Sequence, residues 1–243
     1  MRKKRLIKNL KIKDQIYGGI TKSLIHDSAE KHVVGKATFV DDILEPRETL
    51  YMGFGSAPFA RGKILNIDLS NCKAAPGVIE ILVATDIPGV NDFSPTHSGD
   101  DPILANEEVM YYGQPVFAVI AKTYNEARKA AKLGRVEGEE MDPILTIDDA
   151  IKNNYFISDA HVMERGDVAT AMKNAYMITS GFLSMGGQEH FYLEGQVALA
   201  IPMEDSGVFI QCSSQHPSEI QHNVAQILDI SASAVTVEVR RMG

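Results

Sequence analysis

Seven consecutive residues, Pro115 to Ala121 (PVFAVIA), constrain this chain more than any other stretch. An apolar run of that length without polar alternation is a strand covered on both faces. Thr123 follows it, and Glu126 stands three positions later, the spacing of a capping box that starts a helix. Ala127, Ala130 and Ala131 give this helix a small apolar face, and Gly134 is expected to end it as a C-cap. Arg135 onward returns to a strand. A strand covered on both faces needs a layer on each side. The strand–helix–strand unit therefore predicts an α+β or α/β domain over residues 25 to 145.

Other segments fit that frame. Lys36 to Val40, Thr49 to Gly53, Lys63 to Leu69 and Val78 to Ala84 read as strands, with turns at Glu45–Pro46 and Pro76–Gly77. Residues 91–106 form a long polar loop. Residues 146–175 form a connecting arm, in which Gly166, Asp167 and Val168 open a short helix with Ala169, Met172 and Ala175 on one face. A second domain is expected over 176–243. Residues 1–24 read as an extension. Its first 13 residues hold seven of the 24 basic residues and no acid. The remainder carries 17 basic against 32 acidic residues, a net of −15, which argues against nucleic acid as the main partner. The basic head lacks the apolar core of a signal peptide, and no membrane span follows. Only Cys72 and Cys212 occur, too few for a cysteine-ligated iron–sulfur cluster or a four-cysteine zinc site. A cytoplasmic location with two free thiols is the expectation.

Two polar constellations stand out in the second domain. Residues 186–194 read GGQEHFYLE, placing Gln188, Glu189, His190, Tyr192 and Glu194 between a glycine pair and the apolar run Val197 to Ile201. Read as a strand, this segment needs a polar, buried surface, since each buried polar group without a partner costs about 1–3 kcal/mol. The plain alternative is a strand end with a satisfied polar network. The second constellation is Ser213, Ser214 and Gln215. Val208 to Ser213 reads as a strand, and Pro217 suits the first turn of a helix with Ile220, Val224, Ile227 and Leu228 on one face. Gln215 is thus expected at a strand-to-helix turn, beside free backbone N–H groups and a positive dipole end, a setting for an oxygen-rich ligand. The alternative is that Gln215 only helps to satisfy the helix start. No GxGxxG, Walker, GxSxG or HExxH motif is present, and the histidines show no metal-ligand spacing. Val235, Val237 and Val239 alternate in a last half-buried strand.

GGQEHFYLEGQ (186–196), SSQHPSEIQ (213–221) and VEVRRMG (237–243) stand in the order and at similar spacing to those of the molybdenum hydroxylases. HDSAEKHVVGKATFVDDI (26–43), APGVIEILVATDIPGVND (75–92), GQPVFAVIA (113–121) and LTIDDAI (145–151) resemble the hammerhead domain of the same family. Across residues 25 to 243 the chain resembles the N-terminal part of the molybdopterin-binding large subunit of bacterial xanthine dehydrogenase. The resemblance implies an α/β hammerhead domain followed by the start of a mixed α/β molybdenum-cofactor domain. It implies that Gln215 donates its amide to an oxo ligand of molybdenum, without adding charge. Gln188 and Gly187 are implied to line the cofactor domain as supporting residues, and no catalytic residue is implied within this chain.

The implied reaction is hydroxylation of hypoxanthine or xanthine in purine breakdown, with oxygen from water. Electrons then pass through 2Fe–2S and FAD groups in partner subunits to NAD, and the full complex is expected to form a homo-oligomer. Aldehyde or N-heterocycle oxidation, or a non-catalytic assembly module, are the alternatives. The family's glycine-rich loop and substrate-orienting glutamate follow its RRMG motif and have no matching position here. The expectation is therefore a partial cofactor site and an isolated chain without activity. Gly138 stands where the family tends to carry an aromatic residue, so looser packing is expected at that strand.

Overall fold

Pro115–Ala121 does form a strand, β5, with five of its seven residues buried, and it sits at the centre of its sheet. The computed structural model describes residues 25, 26, 28–95, 99–192 and 194–241. The basic extension, His97 and Gly243 lie outside the described residues. The chain divides into two compact units, Met1–Thr38 and Phe39–Gly243. The described part of the first holds one short helix, α1 (Ala29–Val33).

The second unit contains three small sheets. In the first, β5 lies between β1 (Tyr51–Ser56) and β3 (Val78–Val83), antiparallel to both. In the second, β2 (Gly62–Asp68) lies between β4 (Glu108–Val109) and β6 (Arg135–Glu140), again antiparallel. Helices α2 (Ser70–Lys73) and α3 (Tyr124–Ala131) belong to the same half. Thr123 caps α3 by accepting the Glu126 N–H, and its hydroxyl donates back to the Glu126 carboxylate. Ala127, Ala130 and Ala131 are the buried face of α3, as their spacing implies. One cluster of buried residues joins both sheets and includes Phe59, Cys72, Val109, Val116, Phe117, Val119, Ala130 and Val136.

Phe117 is the bulkiest fully buried side chain, and glycines make room for it. A Cβ on Gly55 would lie 1.9 Å from its ring. At Gly53, also on β1, a Cβ would lie 2.7 Å from the backbone of Ala127, so the helix packs directly on the strand.

Four expectations are corrected. Lys36 to Val40 is not a strand; residues 36–39 are irregular and Val40–Asp42 form a single 3-10 turn. Phe39 N–H donates to the Asp42 carboxylate there, a local bond that competes with strand pairing. Gly134 does not end α3, because Lys132 is the C-cap. Gly134 is small for another reason: a Cβ would lie 2.2 Å from the Phe117 ring. The strand at Gly138 is not loose, since the Phe59 ring fills the space, 2.3 Å from where a Cβ would stand. The helix opened by Asp167, α5 (Val168–Lys173), is exposed on every side; it follows α4 (Ile147–Lys152), which buries no residue. The apolar face expected of α5 covers nothing among the described residues.

The third sheet belongs to the C-terminal part. β8 (Val208–Cys212) lies between β7 (Ala198–Pro202), antiparallel, and β9 (Val235–Glu238), parallel. Parallel neighbours need a crossover, and α6 (Pro217–Leu228) provides it. Its buried cluster is Ile210, Cys212, Ala225 and Val235, flanked by Ile220, Val224 and Val237.

Replacing Gly55 with Ala is expected to destabilise the chain by about 1–3 kcal/mol, because the displaced Phe117 ring has no free volume to enter. Thermal unfolding of the variant measures this, and an unchanged midpoint would show that the ring can yield.

Candidate functional site

The Ser213–Gln215 constellation lies at the carboxyl end of β8, beside the carboxyl end of β9. Gln215 lies in the bend between the end of β8 and the start of α6, where its sequence position placed it. Pro217 fills the first helical position, where no N–H is needed. The residue before it, His216, gives no side-chain cap, so the first N–H groups of α6 face this turn without a carboxylate or hydroxyl acceptor from the cap position. His216 N–H is itself accepted by Ser214 Oγ at 3.0 Å, which tightens the turn. Gln215 is exposed.

Ser213 ties its turn to the residues that follow GGQEHFYLE. Its hydroxyl donates to the Gly195 carbonyl at 2.7 Å and accepts the Val197 N–H at 3.2 Å. Its own N–H donates to the Val197 carbonyl at 3.1 Å. The chain after GGQEHFYLE is thereby laid beside the Ser213–Gln215 turn. On the far side, Gln211 donates through Nε2 to Glu238 at 2.8 Å, and the other oxygen of Glu238 pairs with Arg240 at 2.5 Å. The rim of the site thus carries amide, hydroxyl and guanidinium groups.

GGQEHFYLE itself requires a correction. Residues 186–192 are neither a strand nor buried. Gly187 and Gln188 are exposed, with open space around Gly187, and neither is brought to Gln215 by any contact among the described residues. The segment pairs with no strand, so its backbone has no ladder to hold it. Apolar side chains in and before it are exposed too, including Tyr176, Phe182, Met185 and Phe191.

One residue of the motif behaves as its composition implied. Glu194 is 7% exposed. Its Oε1 accepts the Val40 N–H at 2.8 Å, and its Oε2 is buried without a partner among the described residues. Nothing in the residue pattern singled out Glu194 from Glu189. The signal available was its place next to the strand that β8 pairs with, on the buried side of Gly195. Burial raises the pKa of the nearby Cys212 thiol, and the negative charge of Glu194 raises it further. Cys72 is likewise raised, by burial first and then by Asp68. Both thiols are free.

Among the described residues no group of three or more His, Cys, Asp and Glu could hold a metal ion, and no helix is long and apolar enough to cross a membrane. A cleft of about 410 Å³ lies at the other end of the third sheet, lined by Met203, Asp205, Phe209, Ser233 and Thr236 among others. It lacks a convergent donor set, so the helix-start turn is the better candidate.

Residues 34–142 match the family described as aldehyde oxidase and xanthine dehydrogenase, a/b hammerhead domain. Residues 147–243 match the molybdopterin cofactor-binding domain. Aldehyde oxidase 2 of Rattus norvegicus is 37% identical over 226 residues, covering 92% of this chain and 16% of the relative. Aldehyde oxidase 1 of Bos taurus is 37% identical over 222 residues, covering 90% and 17%. The chain therefore spans about a sixth of the length of these relatives. The fold is that of aldehyde oxidoreductase from Desulfovibrio gigas, with a TM-score of 0.76 at 21% identity, covering 88% of this chain and 26% of that one. Quinoline 2-oxidoreductase from Pseudomonas putida 86 gives a TM-score of 0.75 at 22% identity, covering 90% and 30%.

Two outcomes are expected. Ser213→Ala should cost about 1 kcal/mol, since it leaves the Val197 N–H and the Gly195 carbonyl without their partner, while Ser213→Thr should restore most of it. Chemical denaturation compares the three proteins. The raised thiols also set a pH dependence. A group with a folded pKa above its unfolded one contributes fully below the unfolded value, and the contribution is lost as pH rises through the folded value. Stability should therefore fall above the ordinary thiol pKa of 9.0. Cys212→Ser should make that decline shallower in urea unfolding at pH 8 and 10.

Proposed function

The chain belongs to the molybdenum hydroxylases, and from that premise we propose that it forms the hammerhead scaffold and one wall of a molybdenum–molybdopterin site. The substrate class proposed is a molecule with an oxidisable carbon next to a heteroatom, an aldehyde or an electron-poor N-heterocycle. Hypoxanthine and xanthine fall within that class as purines. The names of the relatives, aldehyde oxidases and a quinoline oxidoreductase, support the broader class over purines alone.

The observation that carries the reading is the place of Gln215, between the carboxyl end of β8 and the N-terminus of α6. The donor set there fits an oxygen-rich, anionic group. A carboxamide donates without bringing charge, and the helix start adds N–H groups and the positive end of the helix dipole. Molybdenum–molybdopterin, when bound, supplies hydroxylation with water-derived oxygen and accepts the two electrons. Gln215 would donate to an oxygen of the group, Ser213 holds the turn that carries Gln215, and Gly187 and Gln188 would line the outer part of the site once their exposed segment is covered.

In this reading residues 25–145 are the scaffold, 146–175 the connecting arm and 176–243 the part that faces the cofactor, after a basic extension over 1–24. 2Fe–2S and FAD groups on partner subunits would take up the electrons. The exposed apolar residues from Tyr176 to Phe191 support burial of the start of this last part against the remaining portion of the molybdenum subunit.

Gln215→Ala in the assembled enzyme tests the proposal. The expected result is a loss of about 10–100-fold in kcat with molybdenum content retained, the range for groups that tune a metal centre from its surroundings. Unchanged turnover of an aldehyde, of quinoline and of hypoxanthine would sink the assignment of Gln215 and favour a non-catalytic assembly module.

A further inference from the structure

Helix α6 runs between the candidate site and the hammerhead half of the chain. A helix leaves its last four carbonyls without intrahelical partners. Here Ala225 O accepts the Ile230 N–H at 2.9 Å, within the same half. The next two carbonyls each accept an N–H from elsewhere, and Gln226 O also takes the local Asp229 N–H at 3.4 Å. Gln226 O accepts the Val90 N–H at 3.2 Å, and Ile227 O accepts the Gly89 N–H at 2.9 Å. Gly89 and Val90 belong to the loop after β3, more than a hundred positions earlier in sequence. The approach is so close that a Cβ on Gly89 would lie 1.9 Å from the Gln226 carbonyl oxygen, so only glycine fits.

A second bond joins the same two halves at the other side of the site. The 3-10 turn Val40–Asp42 presents the Val40 N–H to Glu194. Glu194 precedes Gly195, whose carbonyl takes the Ser213 hydroxyl. Gln215 thus lies between two attachments to the hammerhead half, one through α6 and one through Glu194 and Ser213.

We infer that the hammerhead half is a positioning element for the Ser213–Gln215 turn, with Gly89 fixing the far end of α6 and Glu194 fixing the strand that Ser213 grips. Neither residue touches the candidate cofactor position. Gly89 acts through helix α6, whose rigid length carries a displacement at Ile227 to Pro217. Glu194 acts through Gly195 and Ser213. The consequence for a cofactor rests on the assignment of Gln215 above, but the positioning itself does not.

Amide hydrogen exchange in the full chain tests it without any cofactor. The amides of Ser213, His216 and Ile220 are hydrogen-bonded and report on the turn. Those of Val116 and Val119 on β5 report on the hammerhead core. Gly89→Val is expected to speed exchange at Ser213, His216 and Ile220 about tenfold and to leave Val116 and Val119 unchanged. Glu194→Ala should have the same selective effect at Ser213, and Glu194→Gln should reverse it, because a carboxamide oxygen still accepts the Val40 N–H. If Gly89→Val accelerates β5 as well, the Glu194 pair decides. Unchanged exchange at the turn, or no difference between the Ala and Gln variants, overturns the inference. Loss of activity for Gln215→Ala without these exchange effects would leave Gln215 standing and remove the positioning role; the converse pattern would do the opposite.

Discussion

Parallel pairing of β8 with β9 is the constraint on which the C-terminal half of this chain, with the candidate site, depends. The register, Val208 with Val235 and Ile210 with Val237, sets both strands running the same way. The chain must then return across the sheet before β9 can begin, and the twelve residues of α6 make that return. Two consequences are forced. The strand-to-helix turn falls at the carboxyl end of β8, where ligands collect in α/β folds. The helix start, with its free N–H groups, points into the same place. Gln215 has its setting because of the pairing, whatever its side chain later binds.

Much of this was readable from short-range chemistry. The apolar run of β5, the Thr123 cap of α3 and the Pro217 start of α6 are local signals, and each element formed where its residues implied. What was not readable depended on a distant partner. Gly134 has the sequence position of a C-cap, yet its size is set by the Phe117 ring from another strand. Gly138 looked like a gap, but Phe59 from the bend between β1 and β2 fills it. GGQEHFYLE has a strand's composition and no strand beside it. A strand exists only when its backbone finds a partner, and composition carries no record of that partner. Glu194 was one of several polar residues in that motif, and only its contact with Val40, 154 positions away, separates it from the rest.

The difference between the two halves explains why the seam matters. The hammerhead half has a cluster of twelve buried residues spanning two sheets, whereas the third sheet and α6 share four. Apolar contacts are non-directional, so packing on this cluster does not by itself fix the position of α6 along its axis. Hydrogen bonds are directional, and those from Gly89 and Val90 act along the helix axis at its end. A side-chain cap would have stopped the helix equally well, but it would have tied α6 to its own half. Asp229 caps the helix locally, and the N–H groups of Gly89 and Val90 add a tie to the half with the larger buried cluster. The cost is that Gly89 can carry no side chain. The same logic applies to Glu194, a buried carboxylate with one oxygen bonded and one not. A buried oxygen without a partner weakens stability, and the bonded oxygen offsets part of that by holding the Val40 N–H. What it fixes is the start of the chain that Ser213 holds, two residues before Gln215.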